Sequence, residues 1–181
     1  MSTAKQLVTG EELVKSYKGM FKTKIKEAKV NTYTFGKKKT EVTHVWMTVD
    51  NSAYKDAVKH LFTFDEYPHF AVSSGYDKDD TIYIVHHFSL YYGERARELS
   101  VNITVPLPKS KPEIETITDL IPGALIAEQE KQEMLGVKVK KIPKDKRVFI
   151  SDDFPKGSYP WRKDEKGPGK MVRNLHEGDK L

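Results

Sequence analysis

The stretch Ile114-Glu-Thr-Ile-Thr-Asp-Leu-Ile-Pro-Gly-Ala-Leu-Ile-Ala-Glu-Gln-Glu-Lys-Gln-Glu-Met-Leu-Gly-Val137 decides how this chain is read. Its first half is apolar and interrupted by Pro122-Gly123, which marks a corner rather than a continuous element. Its second half predicts a helix from about Gly123 to Leu135, stopped by Gly136 in the left-handed conformation that glycine adopts without penalty. Three carboxylates lie on that helix. Glu130 and Glu133 share a face at a spacing of three, while Glu128 points about 200° away from Glu130. Two acids on one face can serve acid–base or metal chemistry, but a carboxylate metal site built on helices wants a histidine three residues on, and none is there. Residue types alone favour a solvated helix face. The sharper alternative is a set of anchors for cationic groups on a partner.

Working outward, the elements on the N-terminal side alternate between helical and strand periods. Thr9 can cap a helix whose Glu12 closes a capping box and whose Leu13, Tyr17 and Met20 form one face. Phe21–Phe35 and Val42–Val49 read as strands joined at Gly36-Lys37-Lys38-Lys39, a hairpin. Asp50 or Ser52 caps a short helix, Ala53–Phe62, with Ala57, Val58, Leu61 and Phe62 on its apolar side. His69–Tyr76 reads as a buried strand, Thr81–Leu90 as the next and Leu99–Val105 as a fifth, ended by a linker containing Pro106, Pro108 and Pro112. Beyond Val137 come Pro143, Pro155, Pro160 and Pro168 among lysines and glycines, a tail expected to be extended and weakly structured alone. The expected architecture is α+β in two layers, a mixed β-sheet with helices on one face and an extended C-terminal tail. Residues 1–137 are read as the domain and 138–181 as the tail.

Composition bounds the chemistry. The 181 residues are 38% hydrophobic and 31% charged, enough apolar content for one proper core. Cysteine is absent, which removes disulfides, cysteine nucleophiles and thiolate ligation of iron–sulfur clusters by this chain. No run approaches the ~20 apolar residues of a membrane span, and Met1–Gly10 lacks the apolar core of a secretory signal. The net charge of +5 suits an acidic partner, an anionic surface or nucleic acid, with lysines spread over several segments rather than one block.

Catalytic motifs are not found. His86 and His87 are neighbours on a strand, so their side chains leave opposite faces and cannot chelate one metal. His44, His60, His69 and His176 have no ligand spacing, no glycine-rich phosphate loop precedes a helix, and no nucleophile elbow surrounds a serine. No catalytic, cofactor-binding or metal-binding residue is assigned.

Several strings resemble the 30 kDa-type subunit of respiratory complex I and the corresponding subunits of membrane-bound hydrogenases. They are Phe64-Asp-Glu-Tyr-Pro-His-Phe70, Ser73-Ser-Gly-Tyr-Asp77, Tyr83–Phe88, Val101–Val105, Thr116-Ile-Thr-Asp-Leu-Ile-Pro-Gly-Ala124, Glu128-Gln-Glu130, Met134-Leu-Gly-Val137 and Asp152-Asp-Phe-Pro-Lys-Gly-Ser-Tyr-Pro-Trp-Arg-Lys163. They run in family order over about residues 60 to 165. Ile126, Gln129, Gln132 and Glu133 depart from the family's usual residues, and Arg147 stands as the remnant of an arginine pair. Those departures point toward the subunit of an archaeal-type, ferredoxin-linked membrane-bound hydrogenase or a related sulfur-reducing complex.

The resemblance implies a non-catalytic peripheral-arm subunit of a complex I-like redox complex that couples electron transport to ion transport. It would lie on the cytoplasmic side of the cell membrane. Its implied partners are a large nickel–iron-type subunit, a small iron–sulfur subunit and a ferredoxin-like subunit. Cofactors would sit in those partners, with none bound by this protein, and nucleic acid and a direct membrane span are not implied. Partner-interface candidates are Glu128, Glu130, Glu133, Arg147, Tyr159, Trp161, Arg162 and Lys163, with Tyr, Trp and Arg weighted because they dominate binding hot spots. For Tyr159 and Trp161 the competing reading is that they cap this protein's own core. Two further readings remain: the 30 kDa-type subunit of a quinone-reducing NADH dehydrogenase, and a basic nucleic-acid-binding domain with aromatic residues on an exposed sheet face.

Overall fold

A computed structural model describes residues 7–94 and 97–171 of the chain; His176 lies outside the described residues. Helix α1 (Gly10–Phe21) starts at Thr9, whose hydroxyl accepts from the Glu12 amide while the Glu12 carboxylate accepts from the Thr9 amide, the expected box. Leu13 and Tyr17 are buried, and the Tyr17 hydroxyl donates to the Ala57 carbonyl at 2.7 Å. Met20, expected on the same face, is 59% exposed in the last turn of the helix, where Phe21 packs against the core instead; a 3-10 turn follows at Lys22–Lys24. That turn also delays the first strand, so β1 is Ile25–Phe35 rather than starting at Phe21.

Strand β2 (Thr40–Val49) completes the hairpin. Asp50 caps the next turn by accepting from the Ser52 amide, and α2 (Tyr54–Leu61) buries Ala57, Val58 and Leu61. Strands β3 (His69–Lys78), β4 (Thr81–Leu90) and β5 (Leu99–Pro108) follow. The sheet order is β1-β2-β5-β4-β3, with β2 and β5 parallel and every other pair antiparallel. A short strand β6 (Glu113–Glu115) precedes α3 (Leu125–Leu135) and pairs in parallel with β7 (Lys138–Lys140). The fold is the expected two-layer α+β with a mixed sheet.

Register places every large core residue on one face. Val45, Met47, Val101, Ile103, Val105, Ile82, Ile84 and Phe88 are partners or near-partners across β2, β5 and β4 and are all nearly inaccessible. Full burial of each such side chain contributes about 1.5–3 kcal/mol. The helices cover this face, and α3 closes it beside β3, where a Cβ on Gly75 would meet Leu135 at 2.7 Å. The opposite face carries Trp46, Asn102, His87, Tyr83 and Tyr76 and stays open, with Trp46 39% and Tyr76 45% exposed.

Three expectations change. Strand β3 is an edge strand with mostly exposed residues, and only Ser73 and Asp77 in it are buried. Its core-side positions Ser73, Gly75 and Asp77 are small or polar, and α3 presses close at Gly75. Pro106 and Pro108 continue β5 instead of ending it, since the β2 ladder stops at Thr104 and leaves that side of β5 without a neighbour needing the missing amide. The C-terminal segment, expected to be extended and weakly structured alone, lies along its own domain over its described residues. The β6–β7 pair, the Trp161 amide to the Met134 carbonyl at 2.9 Å and the Lys163 amide to Asp77 at 2.9 Å tie it there.

Candidate partner interface

The histidines are absorbed by the fold. The His86 ring stacks on Tyr54 and its Nε2 lies 2.8 Å from the Tyr54 hydroxyl inside the core. Burial above all, with Lys131 and His87 adding repulsion, depresses its pKa to about 3, so it is neutral at any ordinary pH. His60 pairs with Ser16 at 2.9 Å, and His44 packs edge-on against Tyr33. Among the described residues no three His, Cys, Asp or Glu side chains converge to hold a metal.

His87 leaves the opposite face from His86, as alternation requires, and joins a series of hydrogen bonds that sequence reading missed. Asn102 gives its amide nitrogen to the Val45 carbonyl at 3.1 Å, which turns its oxygen toward His87 Nδ1 at 2.6 Å. His87 Nδ1 is therefore the donor, and Nε2 accepts from Ser74 at 2.8 Å. The order serine, histidine, asparagine matches an activated nucleophile. Ser74, however, stands exposed on the open sheet rather than in a cleft with converging amide donors. Asn102 is the register partner of His87 on β5, and Ser74 stands two residues along β3 from Val72, the partner of His87, a signal that needs strand pairing known in advance.

The α3 carboxylates do not form a solvated face. Glu128 is 4% exposed and accepts from the Thr116 hydroxyl at 2.6 Å and the Ile117 amide at 2.7 Å, pinning the corner before the helix. Burial raises its pKa, and those two hydrogen bonds pull the other way. Glu133 is 7% exposed and accepts from the consecutive amides of Val148, Phe149 and Ile150. Glu130 pairs with Lys131, whose ammonium sits 5.1 Å from the Trp161 ring centre.

Arg162 is a further buried charge that residue types did not reveal. Its side chain is 3% exposed, 3.4 Å from the Asp77 carboxylate, and also pairs with Asp164. Lys109 closes the group at 2.6 Å from Asp77. Burial pushes the Asp77 carboxyl up, but Lys109, the Lys163 amide and Arg162 together hold it below the ordinary aspartate value. Asp164 is held at about 2, chiefly by its hydrogen bond to Arg162.

Most of the predicted site residues therefore gather at the C-terminal end of α3. Glu130, Glu133, Arg147, Tyr159, Trp161 and Arg162 all touch α3 or the segment folded onto it. Arg147 donates to the Ser151 carbonyl at 3.0 Å, and Tyr159 lies against Gly136. Glu128 stands apart at the corner, and the Lys163 side chain is exposed. Among its exposed charges this region and the start of α3 also present apolar side chains: Ile126 is 51%, Val148 50%, Phe149 49% and Trp161 39% exposed. Half-exposed aromatic and aliphatic side chains held on a satisfied, rigid backbone suit protein contact rather than catalysis. Among the described residues no helix is long and apolar enough to cross a membrane.

Comparison with known proteins bears on the same region. The membrane-bound hydrogenase subunit beta of Pyrococcus furiosus is 34% identical over 149 residues, covering 82% of this protein and 83% of that one. A subunit of the F(420)H(2) dehydrogenase of Methanosarcina mazei is 29% identical over 130 residues, covering 70% and 79%. One polypeptide of the membrane-bound sulfane sulfur reductase, an archaeal respiratory membrane complex, superposes with a TM-score of 0.65 at 19% identity, covering 92% of this protein and 87% of that one, a likeness of fold. Residues 47–171 match the family described as respiratory-chain NADH dehydrogenase, 30 Kd subunit, and the chain belongs to that family.

Proposed function

We propose that this protein is the non-catalytic 30 kDa-type subunit in the peripheral arm of a membrane-bound, complex I-like redox complex. Within that class we favour the ferredoxin-linked hydrogenase or sulfur-reductase branch. The observation that carries the reading is 34% identity to a membrane-bound hydrogenase subunit beta across 83% of its length. The geometry supports it. Glu128, Glu133 and Arg162 are engaged in fixing this protein's own backbone, while Ile126, Val148, Phe149 and Trp161 remain available for contact. The role so described is assembly. The protein would hold a large nickel–iron-type subunit and a small iron–sulfur subunit in register on the cytoplasmic side of the membrane, and electrons would pass through those partners.

The test is isolation of the tagged protein from detergent-solubilised membranes of its native cells. Co-elution of a large subunit and an iron–sulfur subunit, with the visible absorption of clusters, is the expected result. Recovery of the protein alone as a monomer overturns the proposal.

A further inference from the structure

One segment near the N-terminus is strongly basic. Between residues 22 and 41 there are seven lysines against Glu27 and Glu41, a net of +5, while the charges of the remaining residues sum to zero. This segment is the outer hairpin. Among the described residues, strand β1 terminates the sheet, pairs only with β2 and has no buried residue over its 11 positions. Its free edge is about 35 Å long at the usual rise per residue. Tyr33 and Phe35, 48% and 57% exposed, stand near the tip beside Lys37–Lys39. Most of the hairpin precedes residue 47, where the family match begins.

We infer that the β1 edge is a docking surface for an extended, acidic segment of a partner subunit, which adds to the sheet as a further strand. The inference rests on the assembly reading and names the chemistry of one contact in it. Three observations lead to it. A free strand edge presents amides and carbonyls in alternation, a pattern that another strand matches fully and that phosphates, which only accept, match at half its positions. The exposed lysines bar a second copy of this protein, because two such edges side by side oppose +5 with +5. The same lysines complement carboxylates alternating along an incoming strand, with Tyr33 and Phe35 as apolar anchors at one end.

Zero-length carbodiimide cross-linking of the complex purified from membranes tests this, because it joins an amine to a carboxylate in contact with loss of water. Lys26, Lys29 and Lys38 should link to Asp or Glu residues within one short stretch of a single partner subunit. The triple variant K26E/K29E/K38E should lose those links and lower the recovery of complex about ten-fold or more, since like-charge juxtaposition opposes docking. Its melting temperature as an isolated protein should match the parent. A complete complex with those lysines unlinked, or a triple variant that assembles normally, overturns the docking surface and leaves the assembly reading standing. Links between two copies of the protein, or charge-reversal-sensitive binding to phosphatidylglycerol vesicles or oligothymidylate without the partner links, overturn it in favour of those occupants. Recovery of the protein alone removes both readings.

Discussion

Arg162 reaches back to Asp77 and meets it inside the protein, Nε to Oδ2 at 3.4 Å, with the two side chains 3% and 1% exposed. This contact joins the C-terminal segment to the edge strand β3, and the adjoining Lys163 amide donates to the same Asp77 oxygen. Breaking a buried pair from one side costs about 3–5 kcal/mol because a desolvated charge is left behind. Lys109 still faces Asp77 from its other oxygen, so Arg162→Met is expected near the lower figure, about 3 kcal/mol. Arg162→Met combined with Asp77→Asn should recover part of the loss. Urea unfolding of the four members of that cycle checks both; additive losses would show that the two residues do not communicate.

Gly136 ends α3 at φ +71°, and a Cβ there would lie 2.5 Å from Cε2 of Tyr159. Gly136→Ala therefore carries a backbone cost of about 1–2 kcal/mol and a steric one against the ring. The double variant with Tyr159→Ala should relieve the steric part and retain the backbone part. Thermal melts of both proteins measure the difference, and equal destabilisation would mean that the ring simply moves aside.

The pH response separates into two windows. His86 has a folded pKa of about 3, below its ordinary 6.5, so its contribution is complete above about 6.5 and declines as pH falls toward 3. The slope is about 1.4 kcal/mol per pH unit, and His60, lowered by burial, adds in the same direction. Asp77 and Asp164 are also depressed, so their share is present above about 4 and is lost only below it. Between about pH 6.5 and 4.5 the decline belongs to the histidines. His86→Gln should flatten the unfolding free energy in that range, and an unchanged slope would remove His86 as its cause.

Local signals made much of the fold readable before the structure. The Thr9–Glu12 box, the turn at Gly36 and the Gly136 stop are short-range patterns, and each appears where its residues place it. The order of elements followed from them. Burial of charge was not legible in the same way, because the partners are groups far along the sequence. Glu133 meets the amides of Val148–Ile150 and Arg162 meets Asp77, and nothing in an acidic helix or a Tyr-Pro-Trp-Arg string states that distance. Pro106 misled for a related reason. A proline breaks a strand only when both sides of the strand need its amide, which depends on where the neighbouring ladder stops.

Glu133 makes such a distant contact open to test. Its two oxygens take three successive amides, so the segment carrying Val148 and Phe149 is held with both side chains about half exposed. Glutamine at this position keeps one oxygen but turns an amide donor toward an amide donor, and hydrogen bonds to a charged acceptor contribute about 1.5–3 kcal/mol each. Glu133→Gln is expected to loosen residues 146–151 before it unfolds the domain, because the sheet core does not depend on this carboxylate. Trypsin should then cut faster after Lys146 and Arg147, while the cooperative melt remains and shifts by a few degrees. If the apolar pair at Val148 and Phe149 contacts a partner subunit, the variant should also co-purify poorly, and adding Phe149→Ala should weaken recovery no further. Faster cleavage with undiminished recovery of the complex would place the contact elsewhere, leaving Glu133 a purely internal clasp.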